Sequence, residues 1–160
     1  MTFRHPKDTD GAAVNQLIAD CPPLDRNSLY CNLLQCSHFA DTCIVAEANG
    51  RVVGWVSGYR IPKEPETFFL WQVAVHEDAR GMSLASRMIL DLLARMAPEG
   101  VNRLKTTITA DNEASWALFK SIARKRDASF EHAPFFERDR HFGGEHDTEH
   151  LVTIGPFKGS

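Results

Sequence analysis

The chain predicts an α/β fold, a mixed sheet flanked by helices, on three observations. The first is the stretch from Phe68 to Val75, an apolar run rich in aromatic and β-branched residues. It turns through His76–Ala79 and the small residues Gly81, Ser83 and Ala85 into a stripe of Leu84, Met88, Leu92 and Met96, with Ile89 and Leu93 beside it. A strand followed by an amphipathic helix has this pattern. The second is Asn49-Gly50, set between the strand-like runs Thr42–Ala48 and Arg51–Arg60. A two-residue type I′ turn needs positive φ at both central positions, which these two residues tolerate. The third is the β-branched run Leu104–Thr109, followed by Asp111-Asn112 and a second helical stripe. Strand–helix alternation gives parallel pairs and the hairpin an antiparallel one, so the sheet is expected to be mixed.

In chain order, Phe3–Lys7 is expected to start a first strand, and Asp8 or Asp10 to cap a helix carrying Val14, Leu17 and Ile18. Cys21-Pro22-Pro23 ends that helix. Asn27 or Ser28 caps a second helix, whose apolar residues are Leu29, Tyr30, Leu33 and Leu34. After the hairpin, Pro62 and Pro65 break the chain. The strand at 67–75 is apolar enough to be buried on both faces. Pro98-Glu99-Gly100 stops the helix at 83–96. Asn112 caps a helix with Ala114, Leu118, Ile122 and Ala123. Phe130–Asp147 reads as a polar loop rich in histidine, and Glu149–Ile154 as a last strand.

The 160 residues fit one domain, spanning 1–160, with room for a sizeable core. A formal charge of −3 argues against nucleic acid as a partner. No apolar stretch reaches the ~20 residues of a membrane span, and the start, Met-Thr-Phe-Arg-His-Pro-Lys, does not read as a signal peptide. The four cysteines, Cys21, Cys31, Cys36 and Cys43, have no zinc-type spacing and are read as reduced residues of a cytoplasmic protein. The Lys-Gly-Ser end is the one low-complexity hint.

A helix N-terminus offers unpaired N–H groups and partial positive charge, and small residues let an anion come close to the backbone. On this ground alone the loop at 80–85 is either a phosphate site or an ordinary strand–helix connection. It is neither a P-loop nor a dinucleotide-binding glycine motif. The segment Arg80-Gly81-Met82-Ser83-Leu84-Ala85 resembles Arg/Gln-x-x-Gly-x-Gly/Ala, the pyrophosphate loop of the GCN5-related N-acetyltransferases (GNAT family). Arg80 and Ala85 match, and Ser83 stands where that family has glycine. Asn112-Glu-Ala-Ser115-Trp-Ala-Leu118-Phe119 resembles the family's second signature, with Phe119 in place of the tyrosine that usually protonates the departing thiolate.

Longer blocks resemble one branch of that family. They are Cys21–Tyr30, His38–Thr42, Phe69–Val75, Ile108–Phe119 and His141–Gly144, and they are spread over most of the chain. The branch acetylates L-2,4-diaminobutyrate in making the osmoprotectant ectoine. The resemblance implies the acyl-CoA N-acyltransferase (GNAT) fold, acetyl-CoA as cosubstrate, no metal and a homodimer. It implies transfer of acetyl to the γ-amine by direct attack in a ternary complex, giving N4-acetyl-diaminobutyrate.

It also implies roles for residues. Val73 and Val75 offer backbone groups to the pantetheine arm, with Val73 polarising the thioester oxygen. Arg80, Gly81, Ser83, Leu84 and Ala85 bind pyrophosphate, and Asn112, Ser115 and Phe119 line the cofactor. Ser115 or water is left as proton source for the thiolate. Asp25, Tyr30, Trp71, His146 and Glu149 hold the diamine, with Glu149 as proton acceptor. Without the resemblance, Asp25 reads as a turn residue and Trp71 as core. His141, Glu145, His146, Glu149 and His150 form a conceivable metal set, but a histidine-rich loop of this spacing is more often solvated. Rival readings are an acetyltransferase of the same fold acting on another small amine or a protein terminus, a non-catalytic acyl-CoA-binding sensor marked by Ser83 and Phe119, and a metal-binding regulatory module.

Overall fold

In the computed structural model residues 1–158 are described; Gly159 and Ser160 of the Lys-Gly-Ser tail lie outside them. The elements are β1 (Thr2–Arg4), α1 (Gly11–Ala19), α2 (Leu29–Ser37), β2 (Ile44–Ala48), β3 (Arg51–Ile61), β4 (Glu64–Val75), α3 (Leu84–Met96), β5 (Arg103–Thr109), α4 (Glu113–Lys125), β6 (Phe130–Phe136) and β7 (Glu149–Ile154). Together the strands form a seven-stranded sheet in the order β1-β2-β3-β4-β5-β7-β6. The β4–β5 pair is parallel, while β1–β2, β2–β3, β5–β7 and β6–β7 are antiparallel. The expected mixed sheet with flanking helices is present.

The chain forms two compact units, one of residues 1–59 and 70–96, the other of 60–69 and the chain from Ala97 on. In the first unit the turn at Asn49 (φ 52°) and Gly50 (φ 76°) has the backbone that the hairpin motif requires. The core joins Val14, Leu17 and Ile18 of α1 to Cys36, Cys43, Val45, Trp55 and Ala74. Helix α3 buries Leu84, Met88, Ile89, Leu92, Leu93 and Met96, the stripe read from the sequence. Met88 lies on β3 at Gly54, where an added Cβ would sit 2.8 Å from the Met88 sulfur and 3.0 Å from Ala46 Cβ. Gly11 likewise leaves room for Leu33 of α2.

In the second unit, β4 pairs with β5 over Thr67–Phe69, with Phe68 opposite Leu104. The β5–β7 ladder runs from Leu104↔Ile154 to Thr109↔Glu149. Helix α4 buries Phe119, Ile122 and Ala123.

Five expectations need correction. β1 ends at Arg4 rather than running to Lys7. The Asp10 side chain does not cap α1; its carboxylate accepts from Lys7 N at 2.7 Å and takes both Arg4 guanidinium nitrogens, Nη1 and Nη2, at 2.7 and 3.0 Å. Pro65 lies inside β4, whose first residue is Glu64. β4 is not buried on both faces: Phe68, Leu70 and Ala74 are buried while Trp71 is 45% exposed. The polar stretch from Phe130, expected to be loop, opens with a strand, β6. Among the described residues β6 pairs only with β7, and it is irregular between Pro134 and Phe136. An edge strand tolerates a proline and exposed polar residues, so its sequence lacks the usual strand signal.

Candidate active site

In the first unit the loop between β4 and α3 is built by local bonds. His76 N donates to Val53 O at 2.8 Å, which extends the strand pairing past Val75. The His76 ring then accepts from Asp78 N through Nδ1 at 3.1 Å, starting the turn Glu77–Ala79. Arg80 folds back, its Nε donating to Val75 O at 3.2 Å. Gly81 (φ 84°) and Ser83 (φ 54°) both take left-handed backbone on either side of Met82. An added Cβ at Gly81 would meet nothing, so that glycine is required by conformation and not by space. Ser83 holds the same left-handed backbone with a side chain. A non-glycine residue in the left-handed region costs on the order of 1–2 kcal/mol. Arg87 N donates to Ser83 O at 3.0 Å, closing the first turn of α3. The side chain of Leu84 is buried, so its contribution to a ligand is its amide. Alternating left-handed residues before a helix start point successive N–H groups to one side, a concavity suited to an anion.

Asp25 is exposed, and its carbonyl oxygen accepts from Gln72 Nε2 at 2.8 Å. Ser28 caps α2, its Oγ accepting from Cys31 N at 3.0 Å. Tyr30, on the first turn of that helix, is 71% exposed. Trp71 stands off the core face of β4, edge-on to Tyr59 with centroids 6.2 Å apart. Val73 and Val75 share its face and are half-buried. The Val75 carbonyl is occupied by Arg80 and by the Cys21 thiol at 3.4 Å, so what Val75 offers a ligand is not that oxygen.

In the second unit Asn112 caps α4, its Oδ1 accepting from Ser115 N at 3.2 Å. Ser115 is half-buried one turn before Phe119, which is buried at 3% exposure. Trp116 ties the helix to the sheet through Nε1 to Thr109 O at 3.0 Å. Its ring meets His132 and His150 edge-on at 5.0 and 6.1 Å between centroids.

The turn after β6 is closed by its own bonds. Glu137 N donates to His141 Nδ1 at 2.7 Å, Arg138 N to Thr148 Oγ1 at 3.0 Å, and Gly144 N to Arg138 O at 2.8 Å. Phe136 meets His141 and Phe142 edge-on, and Phe142 lies tilted against His146. His146 Nδ1 lies 2.6 Å from Asp147 O. A carbonyl only accepts, so Nδ1 carries the proton and Nε2 faces Glu149 Oε1 at 4.0 Å. A polar cavity of about 390 Å³ opens here, lined by Thr109, Asp111, Arg138, Gly144, Glu145, His146 and Asp147. Among the described residues no three His, Cys, Asp or Glu side chains group closely enough to hold a metal ion.

The sequence alone does not single out Gln72, bonded to the Asp25 carbonyl, or Arg138, which lines the polar cavity. Gln72 carried a signal: a polar residue inside an apolar strand must find a partner.

The profile of the acetyltransferase (GNAT) family matches residues 12–123. An L-2,4-diaminobutyric acid acetyltransferase of Methylotuvimicrobium alcaliphilum is 52% identical over 158 residues, 99% of this chain and 92% of that protein. One of the same name from Vibrio cholerae is 48% identical over 152 residues, 95% of this chain and 88% of the other. Among solved structures, the diaminobutyrate acetyltransferase EctA of Paenibacillus lautus, in complex with L-2,4-diaminobutyric acid and coenzyme A, superposes with a TM-score of 0.91 at 37% identity, covering 99% of this chain and 96% of that one. With the fold, the loop and these likenesses together, the chain belongs to the acetyltransferase (GNAT) family, among the L-2,4-diaminobutyric acid acetyltransferases.

Proposed function

We propose that this chain transfers the acetyl group of acetyl-CoA to the γ-amino group of L-2,4-diaminobutyrate, giving N4-acetyl-diaminobutyrate for ectoine synthesis. The observation that carries the reading is the near-complete match to a solved enzyme holding diaminobutyric acid and coenzyme A.

In this reading the amides of Gly81, Ser83, Leu84 and Ala85 bind the pyrophosphate. Arg80 braces the loop from Val75. Val73 and Val75 run beside the pantetheine, and the Val73 N–H stabilises negative charge on the thioester oxygen. Asn112, Ser115 and Phe119 line the cofactor. Asp25, Tyr30, Trp71 and His146 hold the substrate.

An alkyl ammonium has a pKa of about 10.4 and attacks only after losing a proton. Glu149 accepts that proton, directly or through one water. The freed nitrogen forms a bond to the acetyl carbon and the carbon–sulfur bond breaks, with both substrates bound and no enzyme nucleophile. The attacking nitrogen carries a second proton, which it releases on forming the amide; that proton passes through Ser115 or water to the thiolate of CoA, since Phe119 cannot relay it. A thiol with a pKa like cysteine's, about 8.5, leaves readily enough for this to suffice.

We further read the chain as one acetyltransferase domain, a homodimer and a cytoplasmic protein. No helix among the described residues is long and apolar enough to cross a membrane.

The deciding experiment follows acetyl-CoA turnover with diaminobutyrate, ornithine and lysine side by side, with the acetylated nitrogen located by NMR. One extra methylene displaces the reacting nitrogen by about 1 Å, which can cost about 100-fold in rate. Diaminobutyrate is therefore preferred and acetylated at the γ-nitrogen. Equal turnover of ornithine removes the substrate assignment.

A further inference from the structure

Helix α2 buries two side-chain amides beside Cys36 and leaves large apolar side chains exposed. Its buried residues include Asn32 at 0% and Gln35 at 2% exposure, while Leu29, Tyr30 and Leu33 are 47%, 71% and 36% exposed. A surface helix ordinarily does the reverse. The buried amides form a chain. Asn15 Nδ2, on α1, donates to Asn32 Oδ1 at 3.0 Å, and Asn32 Nδ2 donates to Gln35 Oε1 at 2.9 Å. Gln35 Nε2 has no partner. Buried polar groups are costly unless fully bonded, so hydrophobic burial explains Cys36 but not Asn32 and Gln35.

The geometry of the segment Cys21–Ser28 gives an explanation. Asn15 Nδ2 also donates to Asn27 O at 3.0 Å. Gln72 Nε2 donates to Asp25 O at 2.8 Å. Two side-chain amides, one from α1 and one from β4, thus grip the backbone of this segment two residues apart. The Asn15–Asn32 bond extends the grip to α2 and sets which way that helix faces, which turns Tyr30 outward.

We propose that Gln72 and Asn15 are positioning residues for the amino-acid substrate, fixing the backbone that presents Asp25 and the helix that presents Tyr30. The proposal rests on the reading of Asp25 and Tyr30 as substrate contacts. A carboxylate on a short exposed segment has many orientations available. Two fixed carbonyls remove most of them before the diamine arrives, so less order is lost on binding.

The test is steady-state kinetics on Gln72→Met, Asn15→Leu, Asp25→Ala and the double variant Gln72→Met/Asp25→Ala. Gln72→Met keeps the volume, removes the donor and also removes the Gln72 Oε1 atom, which is buried without a partner. It is therefore expected to fold, and to carry the test if Asn15→Leu does not. Each single variant should raise KM for diaminobutyrate about ten-fold and leave KM for acetyl-CoA within about two-fold, a split that a general loss of structure does not produce. The double variant should be no worse than Asp25→Ala, because Gln72 acts through Asp25. An unchanged diamine KM in Gln72→Met overturns the proposal when Asp25→Ala raises it, and so do effects that multiply in the double variant. A normal diamine KM in Asp25→Ala instead removes the underlying reading of Asp25, and the proposal with it.

Discussion

Arg80 donates from Nε to the carbonyl oxygen of Val75, five residues back, so the end of β4 and the start of the loop before α3 are one bonded unit. Arg80→Ala frees the loop, and KM for acetyl-CoA is expected to rise about ten-fold with the diamine KM little changed. At Ser83 (φ 54°), glycine relieves the left-handed backbone, so Ser83→Gly should match or exceed the parent in Tm. Ser83→Val should lose about 1–2 kcal/mol and raise KM for acetyl-CoA. Parental acetyl-CoA kinetics in both Arg80→Ala and Ser83→Val would discard the pyrophosphate assignment.

Phe119 sits on the buried face of α4 with Ile122 and Ala123. Phe119→Ala should cost about 3–5 kcal/mol in denaturant unfolding. Phe119→Tyr should keep activity, because the thiolate does not depend on a proton from this position. Ser115→Ala should lower kcat by a modest factor. A fall of several orders of magnitude in Ser115→Ala, with CoA binding intact, would make Ser115 the essential acid.

Hydrogen bonds from Arg4, outweighing partial burial, hold the Asp10 carboxyl below its ordinary value of 3.8. A carboxyl whose folded pKa is depressed stabilises the fold above its unfolded pKa, and that contribution fades as pH falls through the folded pKa. Asp10→Asn should therefore cost about 1–3 kcal/mol at neutral pH, with the gap to the parent closing below about pH 4. Thermal unfolding from neutral to acid pH measures it. A gap that stays constant into strong acid contradicts the pairing.

Burial pushes the Cys36 and Cys43 thiols up to about 12. Cys21 is buried as well, and Cys31 is the one half-exposed thiol. Iodoacetamide on the native protein near pH 8 should alkylate Cys31 first and leave Cys36 and Cys43 until the chain is unfolded. Peptide mass spectrometry reads the order.

Glu149 stands at the first residue of β7 with His146 4.0 Å away. Glu149→Gln keeps the shape and removes the proposed proton acceptor, so kcat should fall at neutral pH and recover in part as pH approaches the substrate ammonium pKa of about 10.4. Full kcat at every pH would assign the proton to another group.

The elements with a strong period or a strong cap were readable from residues alone. Asn49-Gly50, the Leu84–Met96 stripe, the Asn112 cap and Glu149–Ile154 all stand where expected. β6 was not, because Pro134 inside it and the exposed Glu131 and His132 suit an edge and mimic a loop. α2 was readable in extent and misleading in orientation: a periodic pattern names two faces but cannot say which one is buried when an amide network outweighs hydrophobicity. For the candidate site, the resemblance pointed to Asp25, Trp71 and Glu149. The bonds of Gln72 and Asn15 join residues far apart in the chain, so no local pattern announces them.

The close approach of Met88 to Gly54 has an evolutionary consequence. A methyl group at 54 displaces the thioether, and because Met88 is fully buried, the displacement is passed on to helix α3. Drift at these two positions is therefore coupled. Lineages that acquire alanine at 54 should carry a shorter side chain at 88, and ancestral reconstructions should rarely pass through a sequence with alanine at 54 and methionine at 88.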